Sequence, residues 1–318
     1  MDDVQRARDV IAEYLPPSPM LSTPALDARL GFHAYLKCEN LQPVGAFKVR
    51  GGLFLMSDLS PDERRRGVVT ASTGNHGQSI AYAAQQFGVK ATIWVPEGAN
   101  PLKVESMRRL GAGVRFSGRD FDECRIAAER DAEASGACFI ASANDWRLIA
   151  GVATYTVEML EEIPDLDVLI VPGGGGSGLS GACLAGKSMS SRLRVIGVQA
   201  AGAPVMHDSW RSGHLGEIEH AETFADGLAT RVAFSLPAQI LWRLLDDFRL
   251  VTDAEMRRTI LTLLETSRIL AEGAGAAALA AAYSMREELA GQKVGMVVSG
   301  GNLTLDTLAE AIAMEQPW

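Results

Sequence analysis

Cysteine is scarce in this chain: four occur in 318 residues, at Cys38, Cys124, Cys138 and Cys183, with no CxxC pair and no histidine at a zinc-binding spacing. That excludes a disulfide framework or a zinc finger, and the four read as buried thiols in a reducing cytoplasm. Positive charge is also short. The 30 Lys and Arg against 39 Asp and Glu leave a net charge of -9, with no basic run and no basic stretch interleaved with aromatics. A nucleic-acid partner is therefore not expected. No apolar run approaches the ~18 residues a membrane helix needs. The charged, amphipathic start MDDVQRARDVIAEYL lacks the apolar heart of a signal peptide. No membrane partner is expected, and a cytoplasmic protein with a small-molecule partner is. Short-period repeats and low-complexity linkers are missing as well. With 47% hydrophobic and 22% charged residues the chain has the globular norm and enough length for two packed domains.

The pattern of elements is readable. Asp2 or Asp3 caps a first helix to about Leu15, stopped by the prolines of PPSP. A short strand HAYLKCEN leads to a helix GAFKVRGGLFLMSDL. From Gly67 strands and helices alternate: GVVTAS, NHGQSIAYAAQQFG, KATIWVP, PLKVESMRRLG, GVRFSG, DFDECRIAAERDAEASG and ACFIAS. Such alternation predicts parallel βαβ units. A second run starts with helix DWRLIAGVATYTVEMLEEI, strand DVLIVP, an Ala-rich helix and strand LRVIGVQA. After a polar excursion (His207 to Asp226) it resumes with helices to Tyr283, strand KVGMVVSG and a last helix LTLDTLAEAIAM. Two α/β halves with a cleft between them are predicted.

Candidate chemistry sits in loops. Lys48 follows Phe47 at the start of an apolar helix, where burial lowers a lysine's pKa and makes it a candidate Schiff-base former. The alternative is a lysine snorkelling from a helix start. The loop VPGGGGSGLSGA, after an apolar strand and before a helix, carries glycines at Gly173, Gly174, Gly175, Gly176 and Gly178 that let backbone N–H groups converge on an anion, and predicts a phosphate cup. Gly176, Gly178 and Gly181 also fit the dinucleotide GxGxxG pattern, but the next strand ends in Gln199 instead of an acid. GACLAGKS matches the Walker A expression only inside the following helix, which makes Lys187 a surface lysine near a helix end. In ASTGNHGQ, Ser72, Thr73, Gly74, Asn75 and His76 form a helix N-terminus suited to a substrate carboxylate. His76 also reads as a structural histidine. In VVSGGN, Ser299 offers a hydroxyl at a strand end. Glu272 opens the small-faced helix AEGAGAAALAA, either as its cap or toward the cleft.

With these residues in view, the chain resembles the fold-type II pyridoxal-phosphate enzymes, in particular the threonine/serine dehydratase and serine racemase group, from about Ser22 to Asn302. KCENLQPVGAFKVRGG looks like that group's signature for the cofactor lysine. The resemblance implies an α/β fold of two three-layer domains with mostly parallel sheets and pyridoxal 5'-phosphate in the cleft between them. It implies a large domain, residues 1–66 and 145–318, and a small one, 67–144. Lys48 would hold the cofactor and take the α-proton, Phe47 would back the ring, and Asn75 would meet the ring hydroxyl. Ser72 to Asn75, with His76, would grip the substrate carboxylate, Gly174 to Gly178 the phosphate, and Ser299 the ring nitrogen. The activity implied is elimination of water from L-threonine or L-serine, giving a 2-oxo acid and ammonia. Serine racemase, or a dehydratase of another 3-hydroxy amino acid or a hydroxyectoine-derived compound, is the alternative within the group. A nicotinamide oxidoreductase or a silent binder is the alternative outside it. A homodimer or larger assembly is implied.

Departures from the group's pattern shape these expectations. Ser177 and Gly178 stand where a glycine and an apolar residue are usual. GQGT is here Gly151, Val152, Ala153 and Thr154, and Trp146 just before it is expected to shape the substrate end of the cleft. The racemases' divalent-cation site needs carboxylates where this chain has Gln199 and Val205, so no metal is expected. The racemases' acid/base serine is here Thr73, whose methyl group hinders approach, which ranks dehydratase over racemase.

Overall fold

The structure, a computed structural model, describes residues 1–72 and 74–318, with Asp122 through its backbone alone. The chain opens with helix α1 (Asp2–Ala12), strand β1 (Met20–Leu21), helix α2 (Pro24–Leu30) and strand β2 (His33–Cys38), then a short 3-10 turn, α3 (Lys48–Ser57) and α4 (Pro61–Arg66). Next come β3 (Val68–Ala71), α5 (Asn75–Phe87), β4 (Ala91–Val95), α6 (Pro101–Arg109), β5 (Gly113–Phe116), α7 (Phe121–Ser135) and β6 (Cys138–Ile140). These strands form one sheet in the order β5-β4-β3-β6, parallel throughout. The chain continues with α8 (Trp146–Glu162), β7 (Val168–Pro172), α9 (Ser177–Met189), β8 (Arg194–Ala200), α10 (Val205–Ser212), α11 (Ser235–Leu244), β9 (Asp247–Val251), α12 (Asp253–Ser267), α13 (Gly273–Ser284), β10 (Lys293–Val298) and α14 (Leu305–Met314). A second sheet has the order β1-β2-β10-β7-β8-β9, with only β1 antiparallel to its neighbour. The expected fold of two mostly parallel sheets layered with helices is thus the one present.

Two stretches differ from the sequence reading. DFRLV, absorbed there into a run of helices, is the edge strand β9. Only Phe248 and Val251 are buried in it, so it lacks the continuous apolar run of the central strands, and its pairing with β8 decides its conformation. The polar excursion begins with helix α10, anchored when Gln199 Oε1 accepts the backbone N–H groups of Met206 and His207 at 3.0 Å each.

Four apolar cores result among the described residues, the smallest of them between α7 and β3. On one face of the larger sheet α2, α12 and α13 pack against β2, β7, β8 and β10, and on the other α8, α9 and α11 do. The third core joins β3 and β4 to α5, α1, α3 and part of α8. α3 therefore sits between the sheets, and its first residue, Lys48, opens toward the crevice they share. Helix α13 comes close to the sheet because its first turn is glycine and alanine: a Cβ at Gly275 would lie 2.2 Å from the Gly300 carbonyl oxygen. Among the described residues no helix is long and apolar enough to cross a membrane.

Candidate active site

The C-terminal ends of β3, β7 and β10 meet the start of α3 around a cleft of about 910 Å³, its open mouth included. Crevices beyond the carboxyl ends of parallel strands are where α/β folds bind ligands, because helix N-termini converge there. Phe47, Lys48, Ser72, Gly74, Asn75, His76, Gly174 to Gly178 and Ser299 all line it. The expected site residues are thus brought together, except Thr73, which lies outside the described residues.

Lys48 is partly buried. Its Nζ donates to Ser177 Oγ at 2.8 Å and lies 5.2 Å from the centre of the Phe47 ring. Burial lowers its pKa to about 8, so an appreciable share of the amine is neutral near physiological pH. The lysine is held from behind. Arg50, fully buried, makes 2.8 Å contacts with Glu39 and a 2.6 Å contact with Glu158, and Lys37 Nζ lies 2.6 Å from Glu158 and 2.8 Å from the Ser18 carbonyl. These two cations and two carboxylates balance, which is the condition for charge to be tolerated at such depth. Lys37 is thereby turned away from the cleft, and Lys187 is taken up by Asp246 and the Leu193 carbonyl at the end of α9.

The glycine loop forms a cradle at the N-terminus of α9. Gly176 has a left-handed φ of 88°, which favours glycine. A Cβ at Gly174 would lie 2.1 Å from the Gly227 carbonyl oxygen, and one at Gly178 would lie 2.9 Å from the Phe47 ring. The N–H groups of Gly174, Gly175 and Gly176 donate to no described residue, so they and the helix end are free for an anion. Tyr155 steadies this turn: its hydroxyl donates to the Gly178 carbonyl at 2.8 Å, and its ring meets that of Phe47 edge-on.

At the start of α5, Ser72 Oγ accepts the N–H groups of Gly74 and Gly77 at 3.0 and 2.9 Å, leaving its own O–H for an acceptor in the cleft. Asn75 is bridged between two partners, donating to Glu272 Oε1 and accepting from Asn302 Nδ2. His76 lines the cleft but is engaged elsewhere. The Thr70 hydroxyl donates to the Ile140 carbonyl at 2.7 Å, so at 3.0 Å it accepts from His76 Nε2–H. Burial, then the Lys48 charge, pushes His76 down to about 3 and keeps it neutral. Ser299 is buried on the cleft wall, and its hydroxyl has no hydrogen-bond partner among the described residues.

One open alternative is decided and one expectation is corrected. Glu272 is not a side-chain cap of α13, since it makes no capping bond there. It turns instead to Asn75 and to Lys103, and burial raises its pKa despite both. Trp146 stays out of the cleft, 44% exposed and edge-on to Phe54, because the start of α8 packs on the outer face of α3. Lys103, Asp226 and Tyr155 were not singled out beforehand. Lys103 left one trace, since it belongs to the buried stripe Lys103, Val104 and Met107 of α6. Gln199 spends its amide oxygen on α10, Val205 is buried beside it, and no group of three metal-ligating side chains occurs among the described residues.

The chain matches a family described as "Pyridoxal-phosphate dependent enzyme" over residues 11–300. It is 39% identical to an L-threonine ammonia-lyase of Thermotoga maritima, over 98% of this chain and 78% of that protein. It is 37% identical to an L-threo-3-hydroxyaspartate ammonia-lyase of Saccharomyces cerevisiae, over 98% of this chain and 95% of that one. The solved structure of maize serine racemase superposes with a TM-score of 0.91 at 32% identity, covering 98% of this chain and 96% of that one.

Proposed function

Because the chain belongs to the pyridoxal-phosphate-dependent enzymes, we propose that it is an ammonia-lyase converting a β-hydroxy amino acid, L-threonine or L-serine first, to a 2-oxo acid and ammonia. The observation that carries this reading is the pairing of a low-pKa amine, Lys48, with the open N–H cradle of Gly174 to Gly176 in one cleft. A phosphate held at the end of α9 and an aldehyde within reach of Lys48 describe the family's cofactor, so the residues fit it. When bound, pyridoxal phosphate supplies the electron sink for the charge left when the substrate's α-proton departs.

The residues divide the remaining work. Lys48 would hold the cofactor, and its neutral amine, when free, would take the substrate's α-proton. The ammonium so formed, beside Ser177 Oγ, is the acid at hand for the departing β-hydroxyl. Gly174 to Gly178 would bind the phosphate through N–H groups and the helix dipole, and Phe47, propped by Tyr155, would back the ring. Asn75, its orientation fixed by Asn302 and Glu272, would meet the ring hydroxyl. Ser72, Gly74 and Asn75 would take the substrate carboxylate with His76 beside them, a role also expected of Thr73, which lies outside the described residues. Ser299 would offer the ring nitrogen a neutral hydroxyl. A neutral partner there would not enforce protonation of the ring nitrogen, which suits prompt loss of a β-leaving group.

The division into residues 1–66 with 145–318 and residues 67–144 remains part of this proposal. The parallel sheet whose strands all fall between Val68 and Ile140 supports it, although α1 and α3 contribute to the same core. A homo-oligomer is retained as well, and light scattering measures it. Assaying 2-oxo acid from a panel of L-threonine, L-serine and larger 3-hydroxy amino acids tests the activity. Formation of D-serine as the main product from L-serine would replace the lyase reading with a racemase one.

A further inference from the structure

Taking the proposed function as its basis, the charge around the substrate end of the cleft narrows the substrate class. Two ammonium groups line the cleft among the described residues, Lys48 and Lys103, and no guanidinium does. Lys48 is committed to the cofactor in that reading. Lys103 is 5% exposed, and its Nζ lies 3.0 Å from Asp226 Oδ2 and 3.8 Å from Glu272 Oε2. One positive charge therefore faces two carboxylates. Although burial opposes the ammonium form, Glu272 and Asp226 keep it charged. This cluster borders the loop expected to take the substrate's α-carboxylate: a Cβ at Gly74 would lie 2.7 Å from Lys103 Cδ. His76 is neutral, and Arg231, on the strap that follows Asp226, is held 2.9 Å from Asp120. The rest of the wall mixes apolar side chains, Phe121, Leu228 and Phe234, with the hydroxyls of Ser142 and Thr230, and adds no further cation among the described residues.

A substrate bearing a second carboxylate would enter a space where, among the described residues, the one cation besides Lys48 is already outnumbered by carboxylates. Like charges brought together without a partner cost several kcal/mol, reduced here because Asp226 is half exposed at the mouth and partly screened. We propose that the cleft accepts β-hydroxy amino acids whose side chain carries no negative charge, and that Asp226 enforces the exclusion by occupying Lys103. Between the two lyase activities named among the relatives, this favours the threonine type over the 3-hydroxyaspartate type.

L-asparagine and L-aspartate match in shape, differ by one charge and have no β-hydroxyl to lose. Titrating the cofactor-loaded protein with each, and following the cofactor's absorbance, yields two dissociation constants without turnover. Aspartate is expected to bind more weakly by about tenfold or more, and L-threo-3-hydroxyaspartate to yield 2-oxo acid more slowly than L-threonine. Asp226→Asn, which leaves Lys103 facing Glu272 alone, should narrow the asparagine-to-aspartate gap, and Lys103→Gln should widen it. Equal binding by the unaltered protein, or faster turnover of 3-hydroxyaspartate, overturns the proposal. An unchanged gap in a folded, cofactor-loaded Asp226→Asn removes Asp226 from it; if that variant fails to fold, an unwidened gap in Lys103→Gln does the same. Should the unaltered protein bind no cofactor at all, the proposed function fails, and this inference with it.

Discussion

Replacing Lys48 by methionine should make the cofactor-free protein more stable, because the lysine is kept at the cost of burying a charge. Burial takes its pKa from an ordinary 10.5 to about 8, which corresponds to roughly 3 kcal/mol against the ammonium form in the folded state. Methionine keeps nearly the same length without charge, but loses the bond to Ser177 Oγ, worth about 1 kcal/mol. A net gain of about 2 kcal/mol is expected at pH 7. The sign of the pH dependence follows. Below pH 8 both states are protonated and the penalty is complete. Between about 8 and 10.5 only the unfolded chain holds the proton, so stability of the unaltered protein rises with pH and the gap to the variant closes. Urea melts of both proteins, stripped of cofactor, at pH 7 and pH 10 measure this. A variant no more stable than the parent at pH 7, or a gap that does not shrink by pH 10, would refute the idea that the lysine sits in a desolvated, functional setting.

The remaining expectations are simpler. Ser299→Asp should retain cofactor but slow 2-oxo acid formation, since a carboxylate favours a protonated ring and a longer-lived carbanion; faster turnover without new side products would count against Ser299 facing the ring nitrogen. Arg50→Ala leaves Glu39 and Glu158 buried without their main partner and should cost about 3–5 kcal/mol in chemical denaturation; a loss below about 1 kcal/mol would mean that the quartet contributes little. Chelator should leave activity and melting temperature unchanged, because Gln199 and Val205 supply no carboxylate. Loss of activity restored by magnesium would contradict that.

How much of this was legible beforehand depended on how local each signal was. The βαβ alternation from Gly67 and the loops after β3, β7 and β10 announce themselves, because strand, turn residues and helix follow one another within a few positions. Strand β9 does not, since DFRLV has two buried residues and borrows its conformation from β8. The quartet of Lys37, Glu39, Arg50 and Glu158 spans over a hundred positions, and each member alone reads as a surface charge. Lys103 and Asp226 meet across the crevice for the same reason: their pairing is a property of how α6 packs beside the strap that follows α10. Trp146 shows the converse error. Its nearness in sequence to Gly151 suggested a place in the cleft, whereas helix packing turns it toward Phe54.

The covalent role of Lys48 is tested most directly by reducing the cofactor-loaded protein with borohydride, digesting it and mapping the modified peptide. The label is expected on Lys48, the amine that faces the glycine cradle with a lowered pKa. A label on Lys37, Lys103 or Lys187, or on no lysine, would contradict it.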